Sequence, residues 1–100
     1  DLGSIGQKLF IRLVKESGYT LGTKHMDVGA SIYKPHQRVG AGGSGCACSA
    51  LGILGYVLKE MHQGKYRRIL AIATGALFSP LSYQQGDNIT SIAHAIAIEA

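Results

Sequence analysis

The segment Gly40-Ala41-Gly42-Gly43-Ser44-Gly45-Cys46-Ala47-Cys48-Ser49-Ala50 sets four glycines among small residues and runs directly into an apolar segment. Glycine allows positive φ and close backbone approach, but it weakens regular structure by roughly 0.5–1 kcal/mol per residue. Such a segment therefore holds a loop against a ligand or another backbone. Because a helical pattern begins inside it, free N–H groups and the positive dipole end would receive an anion there. It matches neither a P-loop nor a dinucleotide-binding glycine motif.

Two stretches carry the spacing of helices. Residues 4–17 repeat apolar side chains on one face, which predicts a helix with Ser4 as N-cap and Gly18 as its stop. Residues 46–63 are apolar on almost every side for three turns, which is typical of an interior helix. Gly64 is expected to end this second helix.

Three stretches have the character of strands. Asp27 to Tyr33 has β character, and residues 69–74 form the unbroken apolar run of a strand covered on both faces. Residues 92–99 alternate isoleucine or histidine with alanine. Residues 75–90 then form a long polar loop, a kind of loop that is often functional. The order of helix, strand, glycine loop, buried helix, buried strand, loop and strand predicts an α/β layer architecture.

The composition bounds the possible roles of the chain. With 100 residues it holds one domain at most. Charged residues make up 16% and hydrophobic residues 46%, so we expect much of the surface to be covered. The basic residues are scattered, which argues against nucleic-acid binding. No run reaches the roughly 18 apolar residues of a membrane span, and the first residues are no signal peptide. Because the sequence opens on Asp1, we expect an excerpt of a longer polypeptide.

Two cysteines, Cys46 and Cys48, are separated by one residue. This spacing is poor for a disulfide, and two small buried thiols in a reducing compartment are the simplest interpretation. A zinc site would need two more ligands, and the four histidines lack metal-type spacing. A reactive thiolate at the helix start stays an alternative. We expect no metal and no cofactor.

Several segments resemble a known family. Residues 42–50, 74–80 and 91–95 are similar to the stage V sporulation protein AD family of endospore-forming bacteria, as is the opening turn at residues 1–6. Members of that family have a thiolase-like fold. The resemblance covers the whole chain and implies that residues 1–100 are a partial thiolase-like C-terminal domain. They would be the C-terminal part of its second half-domain, a mixed sheet with a buried helix that is incomplete on its own.

The resemblance implies binding rather than catalysis. Thiolase-type condensation uses a cysteine of the first half-domain and a His or Asn at the helix start, where this chain has Gly45-Cys46-Ala47. The glycine-rich loop after the fourth strand is reduced to a single glycine, Gly75. The resemblance therefore implies a non-catalytic spore protein that binds dipicolinic acid, or its calcium complex, for uptake into the developing spore. A condensing acyltransferase of the thiolase or ketoacyl synthase type is the alternative, and a purely structural subunit is a third reading.

The expected ligand-binding residues lie at the cysteine-bearing helix start and after the apolar strand. They are Ser44, Gly45, Cys46, Cys48, Ser49, Gly75 and Ala76. The helix start would supply N–H donors and the serines hydroxyl groups. No catalytic residue is expected. The resemblance implies as partners dipicolinic acid with or without calcium, other subunits of the spore dipicolinate transport complex, and a second copy in a homodimer. It implies a location in the spore or forespore, peripheral to the inner membrane.

Overall fold

The computed structural model describes residues 2–45 and 47–100, which fall into two units, Asp1–Lys59 and Glu60–Ala100. Six described helical elements precede the first strand. They are α1 (Gly3–Glu16), α2 (Val28–Ser31), a 3₁₀ turn (Pro35–Gln37), α3 (Cys48–Leu51), a π-helical segment (Gly52–Val57) and α4 (Leu58–His62). Within residues 2–45 and 47–100, none of the helices has the length and hydropathy that a membrane span requires.

Helix α1 confirms the predicted helix to within one residue at each end. Its N-cap is Leu2, which makes no side-chain capping bond, so the prediction of Ser4 as N-cap is wrong. At the other end Gly18 adopts φ +90°, and the Tyr19 N–H donates to the Val14 carbonyl at 3.1 Å. This is a Schellman motif, in which a left-handed glycine lets the chain turn back on the last carbonyls. Gly18 therefore stops the helix as expected.

The segment Asp27 to Tyr33 is not a strand, and the prediction of one is wrong. Residues Val28–Ser31 form the single helical turn α2. Asp27 has extended backbone, and its Oδ1 accepts the Ala30 N–H at 2.9 Å, as an N-cap does. This local bond offers the backbone a helical alternative, and β propensity is weak where no neighbouring strand supplies a partner.

The run from α3 to α4 confirms a helix where the sequence predicts one, with described bounds of Cys48 and His62. Its predicted first residue, Cys46, lies outside the described residues. Gly64 takes φ +80° and the helix ends there as expected, because the Lys65 N–H turns back to the Glu60 carbonyl at 2.9 Å.

The same run corrects the prediction of an interior helix. Leu51 and Leu54 are 70% and 65% exposed, whereas Val57 and Met61 are buried at 6% and 5%. Apolar character on every side is typical of helices that are covered all round. Within the described residues of the run, buried positions occur only in the second half.

The second unit contains a two-stranded antiparallel sheet. Strand β1 (Arg68–Leu77) pairs with β2 (Thr90–Glu99), in a register that runs from Arg68 opposite Glu99 to Leu77 opposite Thr90. Both predicted strands are confirmed, and each extends beyond its predicted bounds. The described architecture is therefore mixed α/β.

Two expectations about this hairpin are wrong. Strand β1 is not covered on both faces, because Leu70 is 64% exposed while its neighbour Ala71 is buried. The segment 75–90 is not one loop, because it contains the end of β1 and a helix, α5 (Pro80–Gln85). The Ser79 hydroxyl oxygen accepts the Ser82 N–H at 3.4 Å, and proline at the first helical position is preset for the helix.

Candidate ligand site

The glycine loop is held by the backbone of α2. The Gly43 N–H donates to the Gly29 carbonyl at 2.7 Å. A Cβ on Gly29 would lie 2.2 Å from the Gly43 carbonyl oxygen, a distance that no side chain can tolerate. The sequence left open whether these glycines approach a ligand or another backbone. In this part of the loop they approach another backbone, that of α2.

Beside this contact lies an open hollow of about 910 Å³, which we call the glycine-loop hollow. Its described lining consists of apolar and aromatic side chains from α2 and the helix, and of small residues from the loop. They are Ile32, Tyr33, Gly42, Gly43, Ser44, Gly45, Ala47, Cys48, Leu51, Gly52, Gly55 and Tyr56. None of these residues carries a charge, so the described wall offers rings, short side chains and backbone groups.

The structure brings together three of the expected ligand-binding residues. Ser44, Gly45 and Cys48 line the glycine-loop hollow. Ser49 is half-buried on α3 and is not among the lining residues. Cys46 lies outside the described residues.

The other two expected residues belong to the second unit. Gly75 and Ala76 lie within β1, where they pair with Ile92 and Ser91 of β2. They were expected in a loop after the strand, and that placement is wrong because β1 continues through Leu77. Their backbone lies in extended ladder geometry rather than in a loop.

The open backbone donors of the hollow lie at two of the expected residues, Ser44 and Gly45. The Cys48 N–H donates to the Gly45 carbonyl at 3.1 Å, so the turn before α3 closes on itself. The amides of Ser44 and Gly45 donate to no other described residue, and both residues are exposed. An anion would therefore find its open donors in the loop, one turn before the helix, rather than at the amide of Cys48.

Cys48 carries a half-buried free thiol on the wall of the hollow. Its Sγ lies 3.5 Å from the position that a Cβ on Gly43 would occupy, so the sulfur faces the loop. No histidine or carboxylate accompanies it among the described lining residues. A thiol needs a base or a positive neighbour to act as a nucleophile, and the described wall of the hollow supplies neither.

Metal binding finds no support in the described part of the chain. Residues 2–45 and 47–100 contain no group of three or more His, Cys, Asp or Glu side chains that could hold an ion. Structural zinc takes four ligands, and calcium six to eight oxygen atoms.

Sequence reasoning missed the aromatic walls, Tyr33 and Tyr56. For Tyr56 the signal was present: Cys48, Gly52 and Tyr56 follow at steps of four, which places them on one face of a helix. Tyr33 was assigned to a strand that does not form, so its position beside the loop had no signal in the local pattern.

The comparisons with known proteins agree with one another. The family model described as "Stage V sporulation protein AD (SpoVAD)" matches residues 1–99. Stage V sporulation protein AD of Bacillus subtilis (strain 168) is 46% identical over 99 residues, which cover 99% of this chain. The chain spans 29% of the length of that curated relative. Because both matches extend over nearly the whole chain, it belongs to the stage V sporulation protein AD family.

Proposed function

We propose that this chain is part of a non-catalytic, thiolase-like spore protein that binds dipicolinic acid, or its calcium complex, for uptake into the developing spore. The relative is named as a sporulation protein. Family membership at 46% identity supports the same role for the protein that carries this chain. The thiolase-like fold belongs to this proposal and rests on the resemblance of the sequence.

The observation that carries the proposal is the chemistry of the glycine-loop hollow. Dipicolinate is a flat pyridine ring with two carboxylates. Tyr33 and Tyr56 line the hollow with aromatic side chains, and pairs of aromatic rings gain roughly 0.5–1.5 kcal/mol beyond their buried area. The amides of Ser44 and Gly45 offer donors to a carboxylate, a type of bond that is stronger than its neutral counterpart.

The same surroundings favour binding over condensation. An acyl-transferring cysteine needs a base, and the carbonyl oxygen of its thioester needs aligned donors. Cys48 has neither a histidine nor a carboxylate beside it among the described lining residues. A condensing acyltransferase would therefore need a base and hydrogen-bond donors from outside the described lining of the hollow. No observation on this lining favours that alternative.

The proposal includes partners and a location. The protein would work with other subunits of the dipicolinate transport complex and pair as a homodimer, peripheral to the inner spore membrane. Large exposed apolar side chains on both units, among them Leu54 and Ile96, support contacts with further protein.

Calorimetric titration of the complete protein with dipicolinate tests the proposal. Ser44→Asp places a carboxylate on the wall of the hollow and is expected to weaken binding about tenfold or more by charge repulsion. The matched control is Ser4→Asp, which adds the same charge at an exposed position in the first turn of α1, outside both the hollow and the other expected ligand-binding residues. Absence of binding by the unaltered protein would overturn the proposed ligand. Equal affinities of the two variants would remove the glycine-loop hollow from the site, and turnover of acyl-CoA would favour the condensing enzyme.

A further inference from the structure

A second hollow of about 440 Å³ adjoins Tyr33, which also lines the glycine-loop hollow. We call it the cationic hollow. Its described lining combines a tyrosine, two basic side chains and small or apolar residues: Ala30, Tyr33, Lys34, Pro35, Arg38, Val39 and Gly40. Its volume is within the ordinary range of small-molecule sites.

The two basic side chains of the cationic hollow have no acidic partner among the described residues. The ion pairs there join Arg12 to Glu16, Lys65 to Glu60, and Arg68 to Glu99, and none of them includes Lys34 or Arg38. Asp27, whose carboxylate caps the adjacent turn through Ala30, is not among the residues of the lining. Two positive charges on one hollow therefore lack an internal counter-charge in the described structure.

A short turn fixes the spacing of these two cations. The Lys34 N–H donates to Gln37 Oε1 at 2.7 Å, and the Gln37 N–H donates to the Lys34 carbonyl at 3.0 Å. Pro35 presets the first residue of this 3₁₀ turn. Arg38 follows with φ +49° and ψ +39°, a left-handed conformation that is uncommon for any residue with a side chain. A left-handed residue commonly ends a helical turn and reverses the chain, and here it places Arg38 immediately after the turn that begins at Lys34.

The positive charge that would neutralise the proposed ligand is present in the cationic hollow and not on the described wall of the glycine-loop hollow. A dicarboxylate loses strong hydration on binding and needs compensating charge. The glycine-loop hollow supplies no charged side chain from its described wall, whereas the cationic hollow supplies two. Arginine binds a carboxylate through two parallel N–H bonds, and lysine binds it as a point charge.

We infer that the cationic hollow is the carboxylate-binding part of the ligand site. Lys34 and Arg38 hold one carboxylate of a small aromatic dicarboxylate whose ring lies against Tyr33, which leaves the other carboxylate for the amides of Ser44 and Gly45. The apolar side chains of Ala30, Pro35 and Val39 suit an organic body better than a fully hydrated inorganic anion. This inference rests on the proposed function and names the residues that neutralise its ligand.

The test is calorimetric titration of the complete protein with two probes, dipicolinate and isophthalate, its benzene analogue with the same two carboxylates. The variant Lys34→Gln with Arg38→Gln is expected to weaken binding of both probes at least tenfold, because two charge-assisted contacts are lost. The matched control, Lys8→Gln with Lys24→Gln, removes the same net charge at two exposed positions outside the hollow. It is expected to bind like the unaltered protein.

The outcomes separate this inference from the proposed function. Unchanged dipicolinate affinity in Lys34→Gln with Arg38→Gln, together with weakened affinity in Ser44→Asp, would overturn the inference and keep the function. If the unaltered protein ignores dipicolinate, the proposed function fails. In that case isophthalate tests the inference. Weaker isophthalate binding in Lys34→Gln with Arg38→Gln than in the unaltered protein would support it, and any other result would overturn it. Restored affinity in Lys34→Arg with Arg38→Lys would support the role of charge, since both variant side chains are cationic.

Discussion

The carbonyl of Gly29 accepts the amide of Gly43, and this one bond fastens the glycine loop to a turn that lies fourteen residues earlier in the chain. A side chain at Gly29 would meet fixed backbone, whereas one at Gly43 would meet the end of a flexible side chain. A Cβ on Gly29 would meet the Gly43 carbonyl oxygen at 2.2 Å, and a Cβ on Gly43 would meet Ile32 Cδ1 at 2.3 Å. The contact shapes the wall that carries Ser44 and Gly45.

Gly29→Ala is expected to break this contact, because the new methyl group meets backbone that cannot rotate away. Overpacking of this kind costs about 1–3 kcal/mol of unfolding free energy. Urea denaturation of the complete protein measures the loss. The control is Gly55→Ala, whose Cβ meets nothing within 4 Å. It should be neutral or stabilise by up to about 1 kcal/mol, since alanine has the better helix propensity; equal losses in the two variants would contradict the steric explanation.

Asp27→Ala removes the cap of α2 and is expected to cost about 0.5–2 kcal/mol of unfolding free energy, because the Ala30 N–H loses its acceptor. Asp27→Asn keeps an acceptor of similar capping strength and should stay close to the unaltered protein. Thermal denaturation of both variants checks the prediction. If asparagine proved as damaging as alanine, the carboxylate would have a role beyond the cap.

Tyr33 lies on the wall of both hollows, so its ring is expected to contribute to ligand binding from either side. Tyr33→Leu should weaken dipicolinate binding about twofold to tenfold, which corresponds to the loss of an aromatic contact. Tyr33→Phe keeps the ring and should lose less affinity. Titration of the three proteins distinguishes the ring from the hydroxyl, and a larger loss in Tyr33→Phe would assign the effect to the hydroxyl.

The ion pair of Arg68 with Glu99 joins the outer ends of the hairpin at 2.7 Å, with the two side chains 73% and 59% exposed. Exposed pairs contribute little, because water screens them and two long side chains must be ordered. Arg68→Ala is therefore expected to change the unfolding free energy by less than about 1 kcal/mol. A loss of several kcal/mol would mean that Arg68 is covered in the complete protein.

The 100-residue chain on its own is expected to melt without a sharp transition. Its buried apolar side chains among the described residues are Val57, Met61 and Ala71, whereas Leu13, Leu54 and Ile96 are more than a third exposed. Cooperative unfolding needs a contiguous buried core, which small domains supply with difficulty. Circular dichroism during heating tests this, and a steep two-state curve would contradict it.

Local patterns in the sequence predicted the elements that depend on local signals. Helix α1 has a clean 3.6-residue period and a stopping glycine, and β2 has strict alternation. The segment at α2 was misassigned because its valine and isoleucine favour a strand only when another strand lies beside them. No strand lies beside this segment among the described residues, so the bond from the Ala30 N–H to the Asp27 side chain favours a helical turn instead.

The candidate site could be predicted only in part. The glycine-rich composition of the loop predicts that it lies close to a ligand or another backbone. Ser44, Gly45 and Cys48 do line a hollow. The sequence gives no distance between residues far apart in the chain, so the pairing of Gly29 with Gly43 and the position of Tyr33 could not be read from it. The same limit applies to Gly75 and Ala76, whose assignment depended on where β1 ends.

The two strands of the β1–β2 hairpin each have an outer edge that no described strand covers. Each strand has ten residues and pairs with only one neighbour among the described residues, so each presents an outer row of backbone donors and acceptors. Strands of this length, rich in isoleucine and alanine and almost free of charge, are templates for further strands. Unless other protein covers these rows, they favour pairing between copies of the segment 68–99.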